Sequence, residues 1–214
     1  MKKIAVSLHA IDDFNLNILQ NIKDFDYIHV DVMDGKFVNN KNNNLEVFKI
    51  LKETYETPII AHLMVINPAQ YVEKIIHFID YFVFHFEIDF KIIDIIEKIR
   101  ENNKNVGLAI NPETKISKIQ PYLNKIDLIL VMSVNPGWSG QKFIPKTIKK
   151  IDQLAKLKNE YNYLIDIDGG INLTNAKLLK NTDILTSSST ILKAKNPNDI
   201  IQLLRKSTLD ERKK

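Results

Sequence analysis

The chain has 214 residues, of which 44% are hydrophobic and 26% are charged, so it can bury one substantial core and is expected to fold as a single domain. Cysteine is absent, which excludes disulfide bonds and thiolate metal ligands. The net charge is +4, but the ten C-terminal residues contribute +3, and no basic stripe interleaved with aromatic residues precedes them, which argues against nucleic-acid binding.

The first segment, MKKIAVSLHAIDDF, contains only a short apolar run, which His9 interrupts and Asp12 follows. This pattern predicts a first β-strand rather than a signal peptide, and no apolar run is long enough to cross a bilayer. We therefore expect a cytoplasmic protein with neither a membrane nor a nucleic-acid partner.

Eight short β-rich segments alternate with longer segments of helical period. In segments 67–79 and 90–100, isoleucine and valine recur at steps of three and four residues, as one buried helix face requires. This alternation predicts a (β/α)8 TIM barrel over residues 1–206, followed by a polar, frayed tail at 207–214. A doubly wound open sheet is the alternative, but no glycine-rich dinucleotide motif follows the first strand. The predicted strands are 3–8, 27–32, 58–63, 81–86, 106–110, 127–132, 163–167 and 183–187, and NNKNNN at 39–44 is predicted to be a solvated loop.

Histidine and aspartate occur at the ends of three predicted strands: His29 and Asp31 on the second, His62 on the third and Asp168 on the seventh. Side chains alternate along a strand, and all strands of a barrel end at the face that carries active sites. Singly, each residue is more often a cap or a hydrogen-bonded core residue. Together they predict a site for one divalent metal ion, with Zn, Fe(II), Mn and Co all compatible with this ligand set.

Four of the six glycines lie in two predicted loops, after the sixth and seventh strands. Backbone amides in such loops bind an anion without a cationic side chain, and none of the three arginines falls in a loop of this face. The loops therefore predict a phosphate site, with tight turns as the alternative reading. The glycines are Gly137, Gly140, Gly169 and Gly170, and Ser188 and Ser189 follow the eighth strand at the same face.

Other residues are predicted to surround this site. Met33, Met64 and Met132 end three strands, which places their thioethers at the cavity, although methionine more often fills a core. His85 and Glu87 are candidates for supporting the metal ligands. The loop at 133–145 is a candidate lid.

Four segments resemble the signature segments of the ribulose-phosphate 3-epimerase family: HVDVMDGKFV at 29–38, AHLMVINPAQYV at 61–72, VMSVNPGWSGQKFIP at 131–145 and IDIDGGIN at 165–172. The resemblance runs in order over nearly the whole chain. It implies a barrel of the ribulose-phosphate-binding type, a sugar-phosphate substrate, and interconversion of D-ribulose 5-phosphate and D-xylulose 5-phosphate in the pentose phosphate pathway. We also expect a homo-oligomer.

The resemblance also assigns residues. It implies metal ligation by His29, Asp31, His62 and Asp168, with Asp31 and Asp168 as the acid–base pair. Departures from the family pattern affect the phosphate end: His9 lies in an unusual run after Ser7, and Ser139 and Ser188 stand where glycine is typical. The implied substrate contacts are Ser7, His62, Gly137, Trp138, Ser139, Gly140, Gly169, Gly170, Ser188 and Ser189.

Epimerisation next to a ketone needs a base on one face of the carbon, an acid on the other, and stabilisation of the enediolate between them. We hypothesise that the two aspartates exchange these roles, with a divalent metal as cofactor. Related decarboxylating or carbon–carbon-bond-forming barrels resemble a D-x-K-x-x-D pattern, but Met33 stands at the lysine position. The alternatives are a D-allulose-6-phosphate 3-epimerase of the same family and a barrel that binds sugar phosphate or metal without turnover.

Overall fold

The structure is a computed structural model that describes residues 1–12, 14–15, 17–138 and 140–209. Eight parallel strands form a closed barrel in the order β1, β9, β8, β7, β6, β5, β4, β2, and β1 pairs with β2 to close it. The predicted (β/α)8 barrel is therefore confirmed. The strands are β1 (Lys3–His9), β2 (Tyr27–Asp34), β3 (Lys41–Asn42), β4 (Ile59–Met64), β5 (Tyr81–His85), β6 (Asn105–Ile110), β7 (Leu128–Met132), β8 (Leu164–Asp168) and β9 (Ile184–Ser187).

Helices cover the outside of the barrel and bury the apolar face that their sequence period predicts. In the described part of the chain, none is long and apolar enough to cross a membrane. The helices are α1 (Asn17–Gln20), α2 (Glu46–Thr54), α3 (Ala69–Ile75), α4 (Ile92–Arg100), α5 (Ile116–Ile119), α6 (Thr147–Leu157), α7 (Leu173–Ala176), α8 (Ser189–Leu192) and α9 (Pro197–Arg205), with 3₁₀ helices at Ile76–Phe78 and Gln120–Lys125.

The prediction of a solvated loop at 39–44 is wrong for two residues. Lys41 and Asn42 form β3, which pairs antiparallel with Met33 and Asp34 at the end of β2. Gly35, with φ of 74°, lies in the connection between the two strands. A two-residue strand needs only backbone partners, so its polar side chains carry no β pattern that sequence reading can detect.

The core has two layers. The larger layer lies between the strands and the helices, and the smaller one fills the barrel with residues such as Ile60, Val83 and Leu130. Gly107 of β6 adjoins Val83, and a Cβ at this glycine would lie 2.5 Å from a valine methyl carbon. The interior is therefore packed, and the barrel is not a pore.

Aspartate occurs in a repeated arrangement at the lower end of the barrel, where the strands begin. Asp127, just before β7, accepts a hydrogen bond at Oδ2 from the backbone amide of Val106 on β6, at 2.7 Å. Its own amide donates to the Val106 carbonyl at 2.8 Å, and Arg100 of α4 lies 2.8 Å from the same Oδ2. We call this unit an aspartate clamp: a helix supplies the cation, the next strand the amide, and the residue before the following strand the carboxylate.

Among the described residues, the clamp occurs four times, on every second barrel strand. The four clamps therefore fix the register of neighbouring strands at the lower end, because each joins two strands through reciprocal backbone and side-chain hydrogen bonds. The other three clamps are Asp26 with Ile4 and Arg205, Asp80 with Ile59 and Lys52, and Asp183 with Ile165 and Lys158.

The chain continues beyond α9 in hydrogen-bonded turns. The amide of Ser207 donates to the Leu204 carbonyl, and that of Leu209 donates to the Lys206 carbonyl. Residues 210–214, which make up most of the predicted frayed tail, lie outside the described residues.

Candidate active site

The four side chains that strand alternation predicts to converge do lie together at the upper end of the barrel, where the strands end. His29 and Asp31 are two residues apart on β2 and share a side, and the register pairs Asp31 with His62 of β4. Asp168 ends β8, which β9 and β1 separate from β2. One ligand atom from each of the four lies within 4.8 Å of the others. We call these residues the His/Asp cluster.

Asp31 is at the centre of the cluster. Its Oδ1 lies within hydrogen-bonding distance of His62 Nδ1, at 2.8 Å, and of His29 Nε2, at 3.2 Å, while Oδ2 accepts a hydrogen bond from the Ser7 hydroxyl at 3.2 Å. Asp168 Oδ2 lies 3.9 Å from His29 Nε2. Both imidazoles are fully buried, so their nitrogens can interact only with the groups around them.

The neighbouring charges shift the pKa values in opposite directions. Burial lowers the pKa of His29, but the charge and hydrogen bond of Asp31, with the charges of Asp168 and Asp166, outweigh burial and raise this pKa to about 9. Burial, and then the charge of Asp31, raise the pKa of Asp168 to about 7. At neutral pH, protons therefore remain in the cluster.

Asp31 and His62, the other two members of the cluster, favour the protonation states that bind a cation. Burial disfavours ionised Asp31, but the charge and hydrogen bond of His29, with the hydrogen bond of His62, hold the pKa of this carboxyl well below its usual range. Burial lowers the pKa of His62 to about 4, so its imidazole is neutral at physiological pH.

The donor set fits a divalent metal ion. Two imidazole nitrogens and two carboxylate oxygens converge, and in the described chain the ion pairs of Asp31 and Asp168 are with histidines alone. Two buried carboxylates at this separation repel each other unless a cation or protons lie between them. His29, Asp31, His62 and Asp168 could therefore hold one ion of a metal that accepts mixed nitrogen and oxygen ligands.

A cavity opens beside the cluster, and Asp31 and Asp168 line it. Met33, Met64 and Met132 also line it, as their strand-end positions predict. His62, which the resemblance implies as a substrate contact as well as a ligand, is fully buried and is not among the lining residues. The other predicted substrate contacts on the wall are Ser7, Gly137, Trp138, Gly140, Gly169, Gly170, Ser188 and Ser189.

Both positions of the glycine pair after β8 require glycine, because atoms of the loop after β7 approach the backbone closely there. Gly169 has φ of 115°, and a Cβ there would lie 2.4 Å from a Val134 methyl carbon; Gly170 has φ of 64°, and a Cβ there would lie 2.7 Å from the Gln141 carbonyl oxygen. In contrast, Ser188 has φ of −107°, which any residue adopts. The φ of Ser188 is therefore not one that requires glycine.

The loop after β7 carries three of the predicted contacts after Gly137, namely Trp138, Ser139 and Gly140, and Gly140 lines the cavity. Trp138 is 62% exposed, so its indole is not packed into the core. Ser139 lies outside the described residues.

After β8, Asn172 caps the start of α7, where its side chain accepts from the amides of Thr174 and Asn175.

Sequence reasoning assigned no role to two residues that contact the site. Ser133 ties the loop after β7 to the end of β8, because its hydroxyl donates to the carbonyls of Asp168 and Gly169 at 2.9 and 2.7 Å. His9 lines the cavity, and its buried Nδ1 lies 3.9 Å from Asp31 Oδ2 with no hydrogen-bond partner in the described chain. The position of His9 at the end of β1, two residues after Ser7, was the signal available in the sequence.

His85 and Glu87 extend the polar network away from the cavity. His85 Nε2 lies 3.0 Å from His62 Nε2, and His85 Nδ1 lies 3.1 Å from Glu87 Oε2. Burial acts to raise the pKa of Glu87, but its hydrogen bonds with His85, Thr114 and the Asn111 amide, with the charge of His85, hold it below its usual value.

The comparisons with known proteins agree with this geometry. Residues 3–192 match the sequence model of the family described as "Ribulose-phosphate 3 epimerase family". The chain is 34% identical over 216 residues to ribulose-phosphate 3-epimerase of Schizosaccharomyces pombe, covering 97% of this chain and 94% of that protein. It is 36% identical over 176 residues to the protein of that name from Aquifex aeolicus, covering 80% and 79%.

Solved structures with little sequence identity share the fold. 3-Hexulose-6-phosphate synthase from Salmonella typhimurium is 17% identical with a TM-score of 0.68, covering 97% of this chain and 98% of that one. KGPDC from Streptococcus mutans is 12% identical with a TM-score of 0.73, covering 96% of both chains. On the family match and the curated relatives, the chain belongs to the ribulose-phosphate 3-epimerase family and is an enzyme of the isomerase class.

Proposed function

We propose that this enzyme epimerises C3 of D-ribulose 5-phosphate to give D-xylulose 5-phosphate, a step of the non-oxidative pentose phosphate pathway. The observation that carries the proposal is the pair of cavity-lining carboxylates, Asp31 and Asp168, which come from strands three positions apart and yet lie within 4.8 Å. A sugar carbon bound in the cavity against both carboxylates presents one face to each.

In this proposal the two carboxylates move the proton. One takes it from C3 as general base, and the other, protonated, returns a proton to the opposite face of the enediolate. The roles reverse in the other direction. The Ser7 hydroxyl and the two imidazoles orient Asp31, and Ser133 holds the backbone at Asp168 through two carbonyls.

We propose His29, Asp31, His62 and Asp168 as the ligands of one divalent cation, with Zn, Fe(II), Mn and Co as candidates. When bound, the ion supplies electrostatic stabilisation for the negative charge that develops on the substrate oxygens. His29 and Asp168 must lose their protons to bind it, and their pKa values of about 9 and 7 make this a competition between protons and metal at neutral pH.

We propose that the substrate phosphate lies at the other end of the cavity, against the loops after β8 and β9. Glycines with positive φ free the backbone amides of such loops for an anion. None of the described lining residues is lysine or arginine, so the amides would carry most of the binding. The proposed contacts are Gly140, Gly169, Gly170, Ser188 and Ser189, with Ser139 of the loop after β7.

We further propose that residues 1–206 act as one catalytic domain and that the loop at 133–145 excludes water when substrate binds. The exposed Trp138 lines the open side of the cavity and is placed to cover the sugar. The expectation of a homo-oligomer stays a prediction.

Wash-in of solvent deuterium at C3 tests the proposal. Purified protein loaded with each candidate metal is incubated in D₂O with ribulose 5-phosphate, and in parallel with allulose 6-phosphate, and exchange at C3 is followed by NMR. We expect exchange and epimerisation of the five-carbon substrate that chelation abolishes. Faster turnover of allulose 6-phosphate would support the six-carbon epimerase instead, and full metal occupancy without exchange would identify a binding protein.

A further inference from the structure

His85 lies behind the His/Asp cluster, next to the ligand His62, where the sequence predicts that it supports the metal ligands. His85 is fully buried, and among the described residues its two ring nitrogens have His62 and Glu87 as hydrogen-bonding partners. The Phe37 ring packs against the His85 ring, with centroids 4.7 Å apart, and the His62 ring lies 5.1 Å away on centroids. The ring is therefore held in one orientation, with Nε2 directed at His62 and Nδ1 directed at Glu87.

The hydrogen bonds of Glu87 determine which atoms donate and which accept between Glu87 and His85. Its Oε1 accepts from the Asn111 amide at 2.8 Å and from the Thr114 hydroxyl, two groups from the loop after β6. An ionised carboxylate accepts hydrogen bonds at both oxygens and donates none, so Oε2 of ionised Glu87 receives a hydrogen from His85 Nδ1. In a neutral imidazole with its hydrogen on Nδ1, Nε2 is an acceptor.

The tautomer of His85 in turn determines the tautomer of the proposed metal ligand His62. Two imidazole nitrogens 3.0 Å apart can share only one hydrogen, so an accepting His85 Nε2 requires His62 to carry its hydrogen on Nε2. When a cation is bound, His62 Nδ1 then has its lone pair free for coordination, and Nδ1 is the ring atom that faces Asp31 in the cluster. In the opposite arrangement, the hydrogen would be on His62 Nδ1, which would prevent coordination through that atom.

We propose that His85 and Glu87 are positioning residues that set the tautomer of His62, so that Nδ1 is the nitrogen that ligates the divalent cation. The hydrogen bonds run from Glu87 through His85 to His62, across the ends of β5 and β4. Histidine ligands in metal sites commonly have their second ring nitrogen bound in this way, and loss of such a partner weakens metal affinity about 10- to 100-fold. The inference rests on the metal centre proposed above.

Metal titration of the full chain tests the affinity. Protein stripped with a chelator is titrated with Zn²⁺ against a chromophoric competitor. We expect His85→Leu to weaken binding about 10- to 100-fold. His85→Gln should recover most of this loss, because a glutamine amide oxygen near the old Nε2 position still accepts from His62. A merely structural role for His85 predicts no such rescue.

Glu87→Gln provides a second variant that keeps the shape of the site should His85→Leu fail to fold. It removes the charge and leaves a group that cannot accept at both ends, so we expect weaker zinc binding than in the wild type. The matched control is Glu113→Gln, in the same loop as Thr114, because Glu113 is exposed and pairs with Lys146 rather than with His85. We expect no change in zinc affinity for the control.

Nitrogen NMR reads the tautomer directly. With ¹⁵N-labelled histidine and bound Zn²⁺, we expect hydrogen on Nε2 of His62 and on Nδ1 of His85, and a loss of this preference in Glu87→Gln. Hydrogen on Nδ1 of zinc-bound His62, or equal affinity in the wild type, His85→Leu and Glu87→Gln, would overturn the inference. A wild-type protein that binds no equivalent of metal would overturn the metal centre itself, so the two failures are distinguishable.

Discussion

Aspartate occurs at both ends of this barrel, and the two groups differ in what surrounds them. At the lower end, each carboxylate of the four aspartate clamps accepts from a backbone amide and lies beside a lysine or arginine, with 28% to 31% of its side chain exposed. At the upper end, Asp31 and Asp168 have only histidines as ion-pair partners in the described chain, and 8% and 15% of their side chains are exposed.

The difference shows how one residue type serves two purposes in a single fold. A lower-end carboxylate has its charge balanced by permanent protein groups, so it stabilises the structure and has no capacity left for a ligand. An upper-end carboxylate is buried beside another carboxylate, and this arrangement retains protons or attracts a cation. Removing a carboxylate should therefore reduce activity at one end and stability at the other.

The largest expected effect is on catalysis at the upper end. Asp168→Asn should reduce deuterium exchange at C3 by about 10²- to 10⁴-fold, because an amide neither accepts the proton nor returns it. Ionisation of Asp168 is disfavoured in the fold, since its pKa is raised to about 7, so the variant in chelator should melt at the same temperature as the wild type or higher. Near-normal exchange would contradict the acid–base role.

The second effect is on metal binding as pH changes. His29, with pKa raised to about 9, and Asp168, with pKa raised to about 7, must both deprotonate to ligate, so protons compete with the ion. We expect the apparent dissociation constant for Zn²⁺ to increase about tenfold for each pH unit lowered between 9 and 7, and more steeply below 7. Calorimetry in buffers of different ionisation enthalpy would count the released protons, and a constant affinity from about pH 6 to 9 would contradict the competition.

A third, smaller effect belongs to the lower end. Asp127→Ala removes the acceptor of the Val106 amide and the partner of Arg100, so it should lower the free energy of unfolding by about 1 to 3 kcal/mol. Urea unfolding measures this loss. C3 exchange under native conditions should remain at the wild-type level. A variant that lost activity while remaining as stable as the wild type would break the comparison between the two ends.

The fourth effect, which arises only above about pH 8, concerns a buried cation at the lower end. Lys2 Nζ donates to the carbonyls of Lys180 and Thr182, and burial lowers its pKa from 10.5 to about 8. Between these values the unfolded chain binds a proton that the folded chain does not, so stability should increase as pH rises from 8 toward 10.5, by about 1 to 3 kcal/mol in total. Lys2→Met should remove this part of the pH dependence in urea unfolding, and an unchanged profile would show that Lys2 is not its source.

The sequence predicts much of the upper end because strand periodicity is a local signal. Alternation along 27–34 places His29, Asp31 and Met33 on one side without knowledge of any partner strand, and the structure agrees. The predicted strand at 58–63 differs by one residue at each end from the observed Ile59–Met64. Strand boundaries are hard to predict because the hydrophobic pattern is weakest at the ends of a strand. The barrel order then follows from the repeated alternation of strand and helix.

Features that depend on distant partners could not be predicted. The aspartate clamps use a helix, a strand and the residue before the following strand, so nothing in the sequence around Asp127 identifies Val106 and Arg100 as its partners. Similarly, the orientation of His85 depends on Glu87 and on a loop that follows another strand. β3 was missed because its pairing involves only backbone groups.

One clamp differs from the others in how it is assembled. Asp26 follows the first strand, whereas its cation, Arg205, comes from the last helix and also donates to the carbonyl of Lys2. This linkage joins α9 to the residues around β1, so a growing chain on the ribosome cannot complete it until α9 has emerged. Truncation before Arg205 should therefore remove the cation of this clamp, and the clamp should be completed only after the barrel strands have been synthesised.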